Sequence, residues 1–372
     1  MKLTIERAEL LKALSHVQSV VERRNTIPIL SNVKLAAEDG KLALTATDLD
    51  LAFIEAIDAR VDVGGVTTAP ALTLHDIVRK IPEGAQIDLT VTGEGQRLQV
   101  AAGRSRFTLS CLPAQDFPEI KDDNLPHRFK LSASDLKRLI DKTRFAVSTE
   151  ETRYYLNGIY FHVADSDGGQ VLRAVATDGH RLARVEMPAP AGAKGMPGVI
   201  VPRKTVNELR KLIDEFAGEI SVGLSDSKIR FTFNDAVLSS KLIDGTFPDY
   251  GRVIPANNDK VAELDARLFA DAVDRVSTIS TDKTRAVKLT LNGNKLELSV
   301  TSPDNGAATD ELAATYGGVP LEVGFNSRYL LDILAQIDGN MAQMLLADAA
   351  SPTLLKDAED EGALYVLMPM RV

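Results

Sequence analysis

The heptapeptide HDIVRKI at residues 75–81 returns, altered, as NELRKLI at 207–213 and LDILAQI at 331–337. Asp76, Glu208 and Asp332 hold the second position of the segment, and Ile77, Leu209 and Ile333 the third, at spacings of 132 and 124. Apolar residues recur at helical intervals in each copy, and an alternating run follows each: AQIDLTV, GEISVGL and AQMLLAD. Upstream lies a second matching set of amphipathic segments, IERAELLKALSHVQSVV (5–21), LSASDLKRLIDKTRFAV (131–147) and LDARLFADAVDRVSTIS (264–280). Thr47-Asp48 and Thr177-Asp178 are 130 apart, as are Phe117-Pro118 and Phe247-Pro248. A period of this length read three times predicts three similar α+β domains, each with two helices and mainly antiparallel strands. The polar stretches KDDNLPH (121–127) and PANNDK (255–260) place the boundaries, giving domains at 1–123, 124–259 and 260–372. PAPAGAKGMPG (188–198) reads as a Pro/Gly-rich loop.

Composition narrows the function. The 372 residues carry a net charge of -9, which argues against simple adhesion to a polyanion. That charge is uneven: residues 1–123 sum to -4 (14 basic, 18 acidic), 124–259 to +2 (19 and 17) and 260–372 to -7 (10 and 17). Any contact with DNA must be local, weak or enforced by shape. No apolar run approaches the roughly 18 residues of a membrane span, and the start, MKLTIERAELLKALSHV, is charged and periodic, unlike an export signal. The cytoplasm is the expected compartment. Cys111 is the only cysteine, so no internal disulfide or multi-cysteine zinc site is expected.

On the helix of 131–147, Leu136, Leu139, Ile140, Thr143 and Val147 share one face at 100° per residue. Lys137, Arg138, Asp141, Lys142 and Arg144 take the other. On the first helix, Lys12, His16, Ser19 and Arg23 form a polar stripe. A solvated surface and the wall of a shared channel fit both patterns. Phosphate loops, HExxH and GxSxG are absent, and the five histidines show no metal-ligand spacing. One segment looks chemical, Ala176-Thr177-Asp178-Gly179-His180-Arg181-Leu182. It can be acid–base machinery, a strand-ending Asp-Gly turn, or the border of a peptide groove with Leu182 and the Arg181 guanidinium exposed. Near the end, Ala363 to Val372 stays apolar. Tyr365, Val366 and Leu367 suit a core strand, and Pro369 ends its pairing, leaving Met368, Met370 and Val372 for an adaptable rim.

TIPILSNV (26–33), GRSRFTLSCLPAQDFP (103–118), RYYLNG (153–158), VATDGHRLA (175–183), VIVPRK (199–204), SSKLIDGTFPDY (239–250), GFNSRYLLDIL (324–334) and YVLMPMR (365–371) together resemble the family of bacterial sliding clamps, the beta subunits of DNA polymerase III. The matches span all three repeats. The resemblance implies a non-catalytic, head-to-tail homodimer whose six domains form a ring around duplex DNA without sequence preference. It also implies a role in polymerase processivity, in the cytoplasm at the nucleoid, with no cofactor, metal or membrane partner. Its implied protein partners are the replicative polymerase catalytic subunit, the clamp loader, repair and translesion polymerases, ligase and mismatch-repair proteins. The implied peptide groove comprises Leu156, Thr177, Gly179, His180, Arg181, Leu182, Pro248, Arg252, Val253, Asn326, Tyr329, Met368, Pro369, Met370 and Arg371, with a looser match near Ala350-Ser351-Pro352. Implied DNA contacts are Arg24, Tyr154, Tyr155, Arg203 and Lys204, to which the basic helix face adds Lys137, Arg138 and Lys142. For the dimer, charge complementarity pairs Arg104 and Arg106, on a strand with Phe107 and Leu109, with Asp304, Asp310 and Glu311 near Ile279. Two rival readings stand beside this: an enzyme using Asp178 and His180, and a repeat scaffold that never meets DNA. The first lacks a nucleophile, metal or cofactor motif, and the basic helix face disfavours the second.

Overall fold

The structure is a computed structural model and describes residues 1–22, 26–93, 96–120, 124–280 and 285–371. The repeat is visible in its elements. A strand (Lys2–Glu6, His127–Ser132, Lys260–Asp265) leads into a helix: α1 Arg7–Val20, α3 Ala133–Arg144, α5 Ala266–Ser277. A second helix (α2 Ala71–Lys80, α4 Arg203–Asp214, α6 Ser327–Leu334) precedes another strand: Gln86–Thr92, Glu219–Leu224, Met341–Leu346. In every repeat those two strands pair antiparallel.

Contacts gather the chain into two units, because strands pair across the repeats. The first unit comprises Met1–Ser134, Pro190–Met196 and Asn207–Leu242. It holds a five-stranded sheet ordered Arg60–Val63, Lys2–Glu6, Gln86–Thr92, Arg97–Ala102, Ser105–Ser110. Its eight-stranded sheet runs His127–Ser132, Glu219–Leu224, Lys228–Thr232, Ala236–Lys241, Leu51–Asp58, Lys41–Thr47, Asn32–Glu38, Gly65–Pro70. The cross-repeat ladder sets Leu238 opposite Phe53. Gly192 (φ +92°) lies so close to this sheet's edge that a Cβ there would meet the Arg128 carbonyl oxygen at 2.2 Å, and Ala193 and Met196 beside it are buried. The expected 188–198 loop is thus packed at its centre.

The second unit comprises Asp135–Ala189, Pro197–Val206 and Ile243–Val372. Its nine-stranded sheet runs Val199–Pro202, Gly158–Ser166, Gly169–Thr177, Arg181–Pro188, Asp360–Leu367, Thr353–Asp357, Met341–Leu346, Lys260–Asp265, Thr315–Tyr316. The four-stranded sheet runs Gly306–Ala313, Lys295–Ser302, Ala286–Asn292, Leu321–Asn326. Here the cross-repeat ladder joins Arg181–Pro188 to Asp360–Leu367, with Leu182 opposite Val366.

Helix burial follows the apolar stripes. Leu10, Ala13, Leu14, Val17 and Val20 of α1 are buried, each large side chain contributing roughly 1.5–3 kcal/mol relative to exposure. Leu136, Leu139, Ile140, Thr143 and Val147 are buried as their spacing predicts. The opposite face of α3 departs from expectation. Lys142 is buried, its ammonium donating to the Gln336 carbonyl and pairing with Asp338 at 2.7 Å. Arg138 donates to both Asp360 oxygens (2.7 and 2.9 Å) and to the Glu186 carbonyl. Chain distant in sequence covers residues that the helical wheel places outside. The α1 stripe is likewise engaged: His16, 12% exposed, pairs with Glu55 at 2.8 Å and Glu215 at 3.3 Å, while Ser19 donates to Glu208. Arg23 lies outside the described residues.

Candidate peptide-docking groove and DNA-facing residues

The segment from Thr177 to Arg181 is a turn held by its own polar side chains. Thr177 Oγ1 donates to the Arg181 carbonyl (2.7 Å) and accepts from Gly179 N (3.1 Å). Asp178 Oδ1 accepts from His180 N and Arg181 N at 2.9 and 3.0 Å. Gly179 sits at φ +88°, where an added Cβ would lie 2.5 Å from Arg153. Asp178 is thus committed to backbone geometry and to Arg181, and His180 is exposed, stacking on Tyr329 with ring centroids 6.0 Å apart.

Arg181 corrects an expectation. Its guanidinium is buried, not presented at a rim. Nε donates to Asp178 (3.2 Å), Nη1 to Asp332 (2.5 Å) and Nη2 to the Phe145 carbonyl (2.6 Å). The planar group lies 4.5 Å from the Tyr329 ring centroid and 5.0 Å from that of Phe145. Asn326 caps α6, its Oδ1 accepting from Arg328 N and Tyr329 N, and so holds Tyr329 in place. Leu182 is also buried rather than exposed, because it is the second residue of a central strand.

Leu156, Val175, Leu182, Ile200, Phe247, Leu354, Leu364 and Val366 form one buried cluster, flanked by Tyr155, Tyr160, Ile243, Tyr250, Ile254 and Leu345. Tyr160 stacks on Phe247 at 4.8 Å and nearly parallel, and His162 reaches the Tyr250 hydroxyl at 2.8 Å. Burial pushes the His162 imidazole below its ordinary value and the Tyr160 phenol above its own. Beside this floor, Val253 is 43% and Met368 38% exposed, and Pro248 and Arg252 are exposed, Arg252 pairing with Asp249 at 2.8 Å. Met368 N donates to the His180 carbonyl, and Met370 N to the Gly324 carbonyl. Pairing therefore resumes beyond Pro369 in one antiparallel bridge, and Met370 is half-buried while Arg371 is exposed. Of the predicted groove residues, Leu156 and Leu182 share the buried cluster, and His180, Arg181, Asn326, Tyr329 and Met368 are joined by the contacts above. Val175, Ile200, Phe247, Leu354, Val366, Phe145 and Asp332 were missed as members. The repeat spacing had marked Phe247 and Asp332 without giving either a role.

Models of the DNA polymerase III beta subunit match the chain with their N-terminal domain at residues 1–121, central domain at 130–249 and C-terminal domain at 251–371. The beta sliding clamp of Caulobacter vibrioides is 57% identical over the full length of both chains, and that of Escherichia coli K12 is 41% identical, again over all of both. The chain belongs to the bacterial sliding-clamp family. Among solved structures, the Caulobacter crescentus clamp, with polyethylene glycol bound at a region assigned to beta-motif tethering, superposes with a TM-score of 0.98 at 57% identity, covering 100% of this chain and 99% of that one. A Bartonella birtlesii clamp bound to griselimycin superposes at 0.97 with 53% identity over all of both chains. The chain is therefore a sliding clamp, a processivity factor of DNA polymerase III rather than an enzyme.

The implied DNA contacts divide. Tyr154 (53% exposed) meets Tyr155 edge-on at 5.7 Å in the 3-10 turn Glu151–Leu156, and Tyr155 packs against the groove floor. Arg203 is exposed, and Lys137 and Lys204 are half-exposed. Arg138 and Lys142 are committed within the second unit as described, and Arg24 lies outside the described residues. Among the residues expected at a dimer contact, Arg104, Arg106 and Phe107 are exposed and Leu109 half-buried, on or beside the edge strand Ser105–Ser110. Arg106 donates to the Gly103 and Ser105 carbonyls. Asp304 is exposed and Ile279 half-buried. Asp310 is bound by Arg275 (2.7 Å) and Glu311 by Lys295, so the carboxylates expected to wait for a partner subunit already hold cations. Among the described residues no cluster of His, Cys, Asp or Glu is gathered to hold a metal ion, and no helix is long and apolar enough to cross a membrane.

Proposed function

We propose that two copies of the chain close head to tail around duplex DNA, with residues 1–123, 124–259 and 260–372 as three domains of each copy. The observation that carries this reading is a pair of open sheet edges. Ser105–Ser110 has one strand neighbour, Arg97–Ala102, and Gly306–Ala313 has one, Lys295–Ser302, among the described residues. Unpaired edges of this length invite another strand. Joining the first edge of one protomer to the second edge of the other is a heterologous contact, and its repetition closes when the rotation is twofold. Because Asp310 and Glu311 already have cations, main-chain pairing with Phe107 and Leu109 carries the interface. Arg104 and Arg106 contribute orientation.

The groove beside Met368 and Val253 holds short linear peptides, its buried floor taking their hydrophobic end. Polymerase, clamp loader, repair and translesion polymerases, ligase and mismatch-repair proteins compete for it in the cytoplasm, at the nucleoid. The polyethylene glycol and griselimycin complexes of the relatives support a ligand-accepting clamp. The test is retention after loading: the protein stays on nicked circular DNA and leaves linear DNA through its ends. Equal loss from both substrates, or a Phe107→Asp variant that sediments as the same dimer, would sink the ring.

A further inference from the structure

The turn that borders the peptide groove has a twin. Thr47 Oγ1 donates to the Leu51 carbonyl (2.9 Å) and accepts from Leu49 N (3.0 Å). Asp48 Oδ1 accepts from Asp50 N (2.9 Å) and Leu51 N (2.7 Å). These four bonds match those of the Thr177–Arg181 turn, and only the Arg181 Nε bond to Asp178 has no counterpart, since Leu51 stands in that place. The strands that follow the two turns also make equivalent cross-repeat ladders. Leu51 lies opposite Ser240 as Arg181 lies opposite Leu367, and Lys241 N donates to the Asp50 carbonyl (2.8 Å) as Met368 N does to His180. Lys241 therefore occupies the place of Met368. Pro118 stands for Pro248, at the repeat spacing of 130. A cleft of about 190 Å³ opens there, lined by Leu49, Ala52, Pro118 and Ile120 with Lys228 and Lys241.

The twin has different chemistry. Leu182 of the apolar floor is replaced by Ala52, and Val366 by Ser239. Two costly features meet at its lip. Leu49 holds φ +80° where the other turn has Gly179, and its side chain is 47% exposed. Lys228 and Lys241 are direct cross-strand partners, a like-charge placement that Asp50 at Lys241 and a further contact of Lys228 offset only in part. Asp50 meets Lys241 at 2.9 Å, with both side chains more than half exposed, so the pair is open to exchange. We propose that this cleft is a second protein-docking site, which takes an acidic peptide segment carrying a hydrophobic residue. The acidic group exchanges with Asp50 at Lys241 and Lys228, and the hydrophobic residue rests on Leu49 and Pro118. The small cleft accepts one or two side chains, so affinity is low and exchange fast.

The probe is a labelled decapeptide of Asp and Ser around a central Leu pair, with an Asn-for-Asp counterpart, followed by anisotropy at low salt. The full-length protein should bind the Asp peptide about tenfold tighter than the Asn peptide. Lys228→Gln with Lys241→Gln, and the Glu double variant, should remove that preference. Leu49→Gly should weaken binding a few-fold while leaving the protein at least as stable, since glycine suits φ +80°. Deleting residues 368–372 should leave Asp-peptide binding unchanged, which separates this site from the peptide groove. The proposal is overturned by binding that survives both lysine double variants, by binding lost with residues 368–372, or by an oligonucleotide that occupies the lysines while the Asp peptide does not.

Discussion

Replacing Arg181 by alanine removes the group that ties the groove turn to α6 and to the end of α3. The side chain is 9% exposed and makes charged hydrogen bonds to Asp178, Asp332 and the Phe145 carbonyl. Removing one member of a fully buried ion pair costs about 3–5 kcal/mol, because the partner charge stays behind. Asp332 is 36% exposed and can recover water, while Asp178 at 17% recovers less, which places the cost near the lower bound, about 3 kcal/mol. Loss of the stack between Phe145 and Tyr329 acts in the same direction. Native-state hydrogen exchange reads this locally: amides of residues 179–182 and 328–334 should exchange about a hundredfold faster. Arg181→Lys should fall between, since an ammonium keeps the charge but not the planar fork. Groove-peptide affinity falls in both variants because Tyr329 and His180 lose their support. Weakened peptide binding with unchanged exchange would refute this reasoning and restore Arg181 as a rim contact.

Deleting residues 368–372 should weaken every groove peptide by tenfold or more, about 1.4 kcal/mol, while sedimentation still shows a dimer. Alanine at Arg203 should lower the slope of log affinity against log salt by about 0.9, and alanine at Lys204, which already has a partner in the protein, by less, equally for all duplex sequences. Lys142→Met should leave that slope unchanged and destabilise the second unit, since Lys142 serves the Gln336 carbonyl and Asp338. Burial alone would lower the His16 pKa, but the hydrogen bonds and charges of Glu55 and Glu215 outweigh it and raise the value; Lys12 pairs with Glu215 from the same helix. A raised folded pKa means stabilisation that is full below pH 6.5 and lost as pH rises through the folded value. The stability difference between wild type and His16→Gln, from urea midpoints, should therefore shrink from pH 6 to pH 9 by way of this group.

The repeat was legible because hydrophobic period and turn chemistry are local. Leu136, Leu139 and Ile140 announce their burial by spacing, and Thr177-Asp178-Gly179 announces its turn by residue type. The ladder between Leu51–Asp58 and Ala236–Lys241 has no such signature, since partners such as Phe53 and Leu238, 185 residues apart, carry nothing local to mark their register. That pairing makes two contact units from three repeats. The same blindness explains Arg181, whose residue type and loop position suggest a rim, while its burial depends on Asp332, 151 residues away. Lys142 was misplaced because a helical wheel knows only its own helix. The floor of the proposed groove was half read: the resemblance implied Leu156 and Leu182 as members, but Ile200, although inside the quoted VIVPRK segment, and Leu354 gain their place only from the sheets.

The distribution of ion pairs bears on how an acidic protein can move along a polyanion. On the helices, cations repeatedly stand beside carboxylates: Lys12 with Glu215, Lys211 with Glu208, Arg144 with Asp141, Arg275 with Asp310. A phosphate that approaches such a cation displaces a carboxylate, and the exchange is nearly neutral when an exposed pair is worth about 0–1 kcal/mol. Few counterions are released per contact, so the affinity gained per phosphate stays below that of an unpaired lysine. A chain built this way gains little from gripping DNA at any one position and loses little on leaving it. Retention must then come from closure of the ring, and on the proposed edge-to-edge pairing the strands Ser105–Ser110 and Gly306–Ala313 matter more for function than any single basic residue.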